Sequence, residues 1–580
     1  MGNFFAQSIA FMSMQFRRGF FGRVPEGQSS DYTNMGDLFR VPPLAKTVYV
    51  LQRQDYSKEQ LALLVFLQGV VAQEEAAIFL DDSRVHHNTL ERYKSKNPQQ
   101  VFVDDIIELW DIVELFREKF HGKFVTYGSF EETDPTIIMA SNIAATEGCL
   151  GIPAALREEA LAHGLAEARD LRLITGSYVE KQQVILDECI NKFRTNRIVM
   201  HLTPKAILGR DIGISQGALF LFTRELMNAP KLYKEERAFR NRVFQWADPA
   251  AKVLGFWADD DETVFINALS IEGKSVSPTS DLANSSIMLS LGDCGQLAQP
   301  NYNSAPVEGK HTICFYVTDG DNLNGVVGSG GACAPYEPML LARKESGDTF
   351  PFAYTTNPLL GYLQPFTAEY LNSNDDLYGL GMRDSYIAGT SGLGACHTFQ
   401  IPKKNLKDFA QMTAESMGKM DLHIFTSAEE ILFNPFMSLY SKKVIDEFAQ
   451  HDEIRGAFIQ VSPWHYSGGK GRIYWSSNGK PWIAVRTTLW GKGGRRESVN
   501  DKWLDGFVKS LNKRSTNTSS ISGYTVISIH PWSMSYKDIQ YIVSRLDLNK
   551  VQIVSPNELL QMVRENVPHK DRKPFPAKAS

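Results

Sequence analysis

The chain has 580 residues, 43% of them hydrophobic and 22% charged, with a formal net charge of −5. That balance supplies large globular cores and exceeds one ordinary domain; it offers no basic field for nucleic acid, and no apolar run reaches the roughly 18–20 residues of a membrane-spanning helix. Six cysteines, none in a Cys-x-x-Cys pair, argue against a zinc ribbon and against a disulfide scaffold.

Residues 1–34 form a Phe/Arg-rich arm. Phe4, Phe5, Ile9, Phe11, Met12, Met14, Phe16, Phe20 and Phe21 accompany Arg17, Arg18 and Arg23, the only charged side chains before Glu26. No basic stretch precedes the apolar part and no small-residue cleavage site follows it, so a secretory signal fits poorly. An organelle presequence, a surface-binding segment and a docking arm for a protein partner stay open, the docking arm being preferred. Gly2 is no myristoylation site, because Ala6 stands where Ser or Thr is needed.

Residues 35–150 read as an α/β domain. Strands are expected at Thr47–Leu51, Ala76–Leu80, 100–103 and Phe124–Tyr127, and a further one at Thr136–Ala140, with helices at 57–73, begun by Ser57 as N-cap, and at 104–120. Strand-helix alternation implies a parallel, Rossmann-like sheet. Residues 151–245 read as mainly helical, including 178–196, with a short strand at 197–202. Gly209, Gly213 and Gly217 are not a dinucleotide fingerprint, since the strand-turn-helix context is missing.

Residues 246–567 restart the alternation, and a basic, proline-containing tail covers 568–580. The central stretch runs from His311 to Leu323. Ile313–Val317 reads as a buried strand that stops at Thr318-Asp319-Gly320-Asp321-Asn322, and in parallel α/β sheets and barrels the reactive groups sit on loops leaving the C-terminal strand ends. The competing reading is a turn in which Asp and Asn cap their own backbone. A strand is expected at Leu422–Phe425, and later strands end in a shared vocabulary: Trp464-His465 after 455–461, Trp490 after 482–487, and His530-Pro-Trp532 after 524–529. A C-terminal (β/α) barrel with acids and aromatics at its mouth is the economical reading.

Such a mouth suits carbohydrate, whose hydroxyls bind polar side chains and whose C–H faces pack on aromatic rings. Glycosidic cleavage needs two carboxyl groups flanking the bond. Asp319 is the first choice for a catalytic acid or base, Asp321 its partner or a substrate ligand, and Asn322 a hydrogen-bonding neighbour. Glu337, Glu369 and Asp384 are the nearest downstream candidates for the second acid, with Glu262 an outside one; Glu369 is chosen. Trp464, His465, Trp490, His530 and Trp532 are expected to bind substrate, each weighed against rim packing or a structural histidine.

The chain resembles the GxGYxYP putative glycoside hydrolase family. Val253-Leu-Gly-Phe-Trp257, Ser280-Asp281 with Asn284-Ser285, Val317 to Leu323, Asn372 to Asp376, Gly479 to Trp482 and Val554 to Glu558 carry the likeness in family order. The resemblance implies an α/β N-terminal region, a barrel-like C-terminal domain, action on carbohydrate and, in most members, export. The naming motif is altered: Ser391 to Thr398 keeps Gly392 and Gly394, but Ala395 and His397 replace the tyrosines and Thr398 the proline. Two other readings follow. One is a metal-dependent carbohydrate deacetylase with a divalent cation at Asp319 or Asp321 and His465 or His530; otherwise no cofactor is expected. The other is a non-catalytic binding protein docked by its arm. Sequons at Asn284 and Asn517 matter only in a eukaryotic secretory route, and nothing in the sequence establishes the compartment.

Overall fold

The structure, a computed structural model, describes residues 34–569 apart from 106–107, 225–228, 257–261, 293–296, 298, 300–304, 330–335, 373–383, 431–436, 463–470 and 492–494. The expected arm, save Asn34, and most of the tail lie outside the described residues.

It is a mixed α/β fold of parallel sheets. β1 (Leu44–Gln52), β2 (Ala76–Asp81) and β3 (Val101–Val103) form one in the order β2-β1-β3. β4 (Lys123–Tyr127), β5 (Leu150–Pro153) and β6 (Ala166–Asp170) form a second, and β7 (Ile198–Leu202), β8 (Leu219–Leu221), β9 (Lys252–Phe256) and β10 (Val276–Ser277) a third, in the order β10-β9-β7-β8. The N-terminal half is therefore three small sheets rather than one. The boundary expected at 245/246 falls inside the third, because β9 pairs with β7.

Helix Lys58–Val71 begins as expected: Ser57 accepts from the Gln60 N–H, and the Gln60 side chain accepts from the Ser57 N–H at 2.9 Å. Thr136–Glu147 is a helix, not the expected strand. Ile137, Ile138, Met139 and Ala140 are all buried, and a short apolar run buried on every side carries no period to separate the two forms.

The fourth sheet has ten strands: β11 (His311–Val317), β12 (Phe352–Thr356), β13 (Asp384–Thr390), β14 (Ile424–Glu430), β15 (Gly456–Ser462), β16 (Ile473–Trp475), β17 (Pro481–Ala484), β18 (Thr487–Leu489), β19 (Tyr524–Ile529) and β20 (Val551–Ile553). Its order, β16-β17-β15-β14-β13-β12-β11-β19-β18, makes it curl, with β20 beside β11 and β16 the antiparallel member. The run from Pro481 to Leu489 supplies β17 to one side and β18 to the other, pairing β15 and β19. Among the described residues no ladder joins β17 to β18, so the sheet is a curled half-barrel by hydrogen bonding. β11 is buried on both faces, which is why it reads as an unbroken apolar run. Tyr316 stacks on Phe458 at 5.6 Å, in a cluster with Cys314, Ile387 and Ile483.

Two buried polar joints tie the layers together. Asn284, 0% exposed, accepts from Gln68 at 3.0 Å and the Leu80 N–H at 2.7 Å and donates to the Leu80 carbonyl at 2.7 Å, so this sequon cannot be glycosylated in the folded protein. His86 faces acceptors on both sides, Asp82 Oδ1 at 2.5 Å and Gln364 Oε1 at 3.0 Å, while the Gln364 amide nitrogen donates to the Ala283 carbonyl at 2.9 Å. The ring satisfies both only as an imidazolium, and the Asp82 charge raises its pKa against the cost of burial.

A third joint braces the curled sheet. Arg343 holds Asp384, at the start of β13, through Nε at 3.0 Å and Nη2 at 2.7 Å, and bonds the Tyr536 hydroxyl at 2.7 Å. Asp384→Ala leaves this cation buried and unpaired. It is expected to cost about 3–5 kcal/mol in urea unfolding, and a loss under about 1 kcal/mol would show that the pair does not brace the sheet.

Candidate active site

β11 delivers the aspartates. At its C-terminal end the chain turns at Asp319, whose φ of +66° lies in the left-handed region, a strained conformation for a residue with a Cβ. Gly320 then passes so close to β12 that an added Cβ would sit 1.8 Å from the Thr355 carbonyl oxygen. The Gly320 N–H donates to Thr355 Oγ1 at 2.9 Å, its carbonyl accepts from the Asn357 N–H at 3.0 Å, and the Tyr336 hydroxyl donates to the Thr318 carbonyl at 2.6 Å. Asn322 accepts from the Gly325 N–H at 3.3 Å and caps the short helix Leu323–Val327. The expected turn is formed, and its cap and pins fix the two aspartates in place.

They open into a cavity of about 410 Å3. Thr390 lines it from β13, Ala428 and Glu429 from β14, Gln460 from β15, Trp490 from beyond β18, and His530 and Trp532 from beyond β19. Phe256, Ile266 and Pro278, from the region around the third sheet, form the opposite wall with Ala395, Cys396 and His397. That wall is clamped: the Ala395 N–H donates to the Val276 carbonyl at 2.7 Å, the Val276 N–H returns a bond at 3.1 Å, and the His397 N–H donates to Ser270 Oγ at 2.8 Å. Gly394 is required, since its φ is +136° and a Cβ would lie 2.7 Å from the Val276 carbonyl oxygen.

Enclosure sets the charges. Burial, reinforced by the Asp321 charge, pushes Asp319 up to about 7, and burial pushes Asp321 up to about 6. Glu429, 2% exposed, is pushed by burial up to about 8 although Ser427 Oγ donates to it at 2.5 Å and the Phe399 N–H at 3.3 Å. Burial holds His397 and His530 down to about 4, so both rings are neutral near pH 7. His530 Nε2 lies 3.5 Å from Asp319 Oδ2, its Nδ1 lies 2.9 Å from Ser533 Oγ, and the Trp490 ring stacks on it with centroids 3.5 Å apart. With 34% of its side chain exposed, Asp319 is reachable from the cavity, and the Trp532 side chain hydrogen-bonds it.

Of the expected site residues, the cavity gathers Asp319, Asp321, Asn322, Trp490, His530 and Trp532. Trp464 and His465 lie outside the described residues. Glu369 is corrected: it is absent from the cavity lining, and its carboxylate pairs with Arg92 at 3.3 Å and with Lys96, joining the curled sheet's helix Pro365–Asn372 to helix Arg84–Lys96. Glu337 pairs with Arg84 at 3.3 Å and Asp384 with Arg343, whereas Glu262 does line the cavity. Glu429 and His397 were not anticipated as site residues. The strand carrying Glu429 reads in sequence as ending at Phe425, yet it continues to Glu430; a longer strand with an acid at its end is the signal that finds it. For the metal-dependent alternative, no group of three His, Cys, Asp or Glu is placed to hold an ion among the described residues, and Asp319 and Asp321 gather only His530.

No curated protein matches the chain. A crystal structure of a putative hydrolase from Bacteroides thetaiotaomicron VPI-5482 shares the fold, with a TM-score of 0.78 over 93% of this chain and 99% of that one, at 21% identity. The family match begins two residues before β11 and ends inside the last helix, Pro556–Asn566, so it spans the whole curled sheet. Residues 309–564 match the family model of the GxGYxYP putative glycoside hydrolase C-terminal domain.

Proposed function

We propose that the protein is a glycoside hydrolase whose curled sheet works as a (β/α) barrel, cleaving a carbohydrate held in the 410 Å3 cavity. One observation carries the reading. Carboxyl groups leave the ends of β11 and β14, with β12 and β13 between them, and face one cavity in which each holds its proton close to neutral pH. Glycosidic cleavage asks for that pairing: an acid that is still protonated on one side of the bond and an anion on the other.

Glu429 is the general acid. Burial keeps it neutral around pH 7, so it can protonate the leaving oxygen. Asp319 and Asp321 titrate as a pair, each resisting the other's charge, and the ionised member acts as base or nucleophile. Trp490 and Trp532 offer ring faces to the sugar's C–H surface, and Asn322, Gln460 and Thr390 offer hydroxyl partners.

Asp319→Asn and Glu429→Gln are each expected to lower kcat on a cleaved oligosaccharide by about 10²–10⁴-fold while calorimetry still shows binding. Cleavage at the wild-type rate by Glu429→Gln would remove it from the acid role. Wild type that neither binds nor cleaves across a broad glycan panel would favour the non-catalytic alternative.

The rate profile should be a bell. kcat/KM rises as the aspartate pair ionises near pH 6 and falls as Glu429 loses its proton near pH 8. A profile flat from pH 5.5 to 8.5 would contradict both assignments.

Stability carries the same signature with a definite sign. A carboxyl raised from the usual range to about 7 favours the folded state at low pH, and that advantage is lost as pH rises through 7. Asp319→Asn removes the titration, so it should melt higher than wild type above about pH 8 and together with wild type near about pH 4. Equal melting temperatures at both would mean that Asp319 is not raised.

A further inference from the structure

His397 stands where the family motif has a tyrosine, and its ring is part of the cavity wall, 5% exposed. Its backbone is fixed by Ser270 and by the strand-like bridge between Ala395 and Val276, so the ring has a defined place. The ring's Nδ1 lies 3.0 Å from the Ala428 carbonyl oxygen. A carbonyl only accepts, so Nδ1 must carry the proton and donate. Burial keeps the ring neutral, and the one proton is then already spent. Nε2 is left as a lone pair. It is buried and has no hydrogen-bond partner.

A buried acceptor without a donor is costly, and the cavity beside it is where a donor can arrive. We propose that His397 Nε2 is the acceptor for a hydroxyl of the bound sugar and so selects a substrate with a hydrogen-bond donor at that position. This rests on the glycosidase reading and goes further by naming what the sugar presents. The lone pair, with Asp321 lining the same cavity, disfavours a carboxylate, sulfate or phosphate at the same place. Uncharged, hydroxylated pyranosides are therefore the substrates, and uronic or sulfated sugars are rejected at this position.

The ring can be read directly. Long-range proton–nitrogen correlation spectra of ¹⁵N-labelled protein, assigned with His397→Gln, are expected to show a neutral, Nδ1-protonated ring throughout about pH 5–8. A proton on Nε2, or titration of the ring in that range, overturns the proposal. Methyl glycosides of glucose, galactose, mannose and xylose, added in turn, should move the Nε2 resonance for at least one sugar, and a deoxyfluoro analogue lacking the donor should abolish the shift. No response to any of the four overturns it, whether or not the tautomer is as expected.

Kinetics separate this inference from the reading beneath it. On a neutral oligosaccharide that wild type cleaves, His397→Phe should raise KM about tenfold with kcat changed far less, and His397→Gln, which keeps an acceptor, should recover most of the loss. Unchanged KM in His397→Phe sinks the inference while hydrolysis stands. If wild type cleaves nothing, the hydrolase reading fails, and the Nε2 response to the four glycosides still decides whether His397 binds sugar.

Discussion

Asp319, Asp321 and Glu429, three of the four carboxyl groups that line one cavity with Glu262, are held out of water, and much of the structure exists to impose that desolvation. In water each would ionise near pH 4, and proximity would cost little. Behind the wall of Phe256, Ile266 and Pro278 burial disfavours the charged forms, with the Asp321 charge adding to it at Asp319, and protons stay bound to about pH 6, 7 and 8 on Asp321, Asp319 and Glu429. Groups of the same carboxyl chemistry then differ in protonation through where the fold puts them. Remove the wall and the difference collapses.

The wall belongs to the third sheet and its surroundings, which gives the N-terminal half a part in building the cavity. β10 contributes two residues to its own sheet, yet Val276 also clasps Ala395 and so fixes the loop carrying Cys396 and His397. The joints at Asn284 and at the His86–Asp82 pair keep the first sheet and helix Lys58–Val71 from drifting away from that assembly. Buried polar contacts of this type are poor sources of net stability, but they accept only one arrangement of the layers. A cavity whose function is to desolvate carboxyl groups gains most from such selectivity.

Much of this was legible in the residues. The unbroken apolar run before Thr318 marked a strand buried on both faces, and the acids at its end lie in a turn that lines the cavity. Helix Lys58–Val71 announced its start with Ser57. Elsewhere local pattern lost to tertiary context. Residues 136–140 are buried on every side, so their spacing said nothing about helix or strand. Asp384 and Glu369 look in sequence like the acids of the site, but Arg343, Arg92 and Lys96 reach them from segments roughly 40 to 280 residues away, and no local pattern reports such partners. Glu429 was hidden by the opposite error, a strand judged too short.

The altered glycine motif shows how the two kinds of information divide. Gly392 and Gly394 persist in this chain, and for Gly394 the reason is backbone geometry: any side chain would strike the Val276 carbonyl and break the clasp. Of the positions that changed, 395, 397 and 398, the first two line the cavity. The loop's path is thus conserved by sterics while its chemistry is free to vary, provided each new group finds a partner. Ala395 needs none. His397 meets half its requirement through Ala428 and leaves Nε2 buried without a partner. A motif that has lost its aromatic residues but kept its path is what a retuned binding wall requires, whereas a loop freed from function would have no reason to keep the glycines that hold it in place.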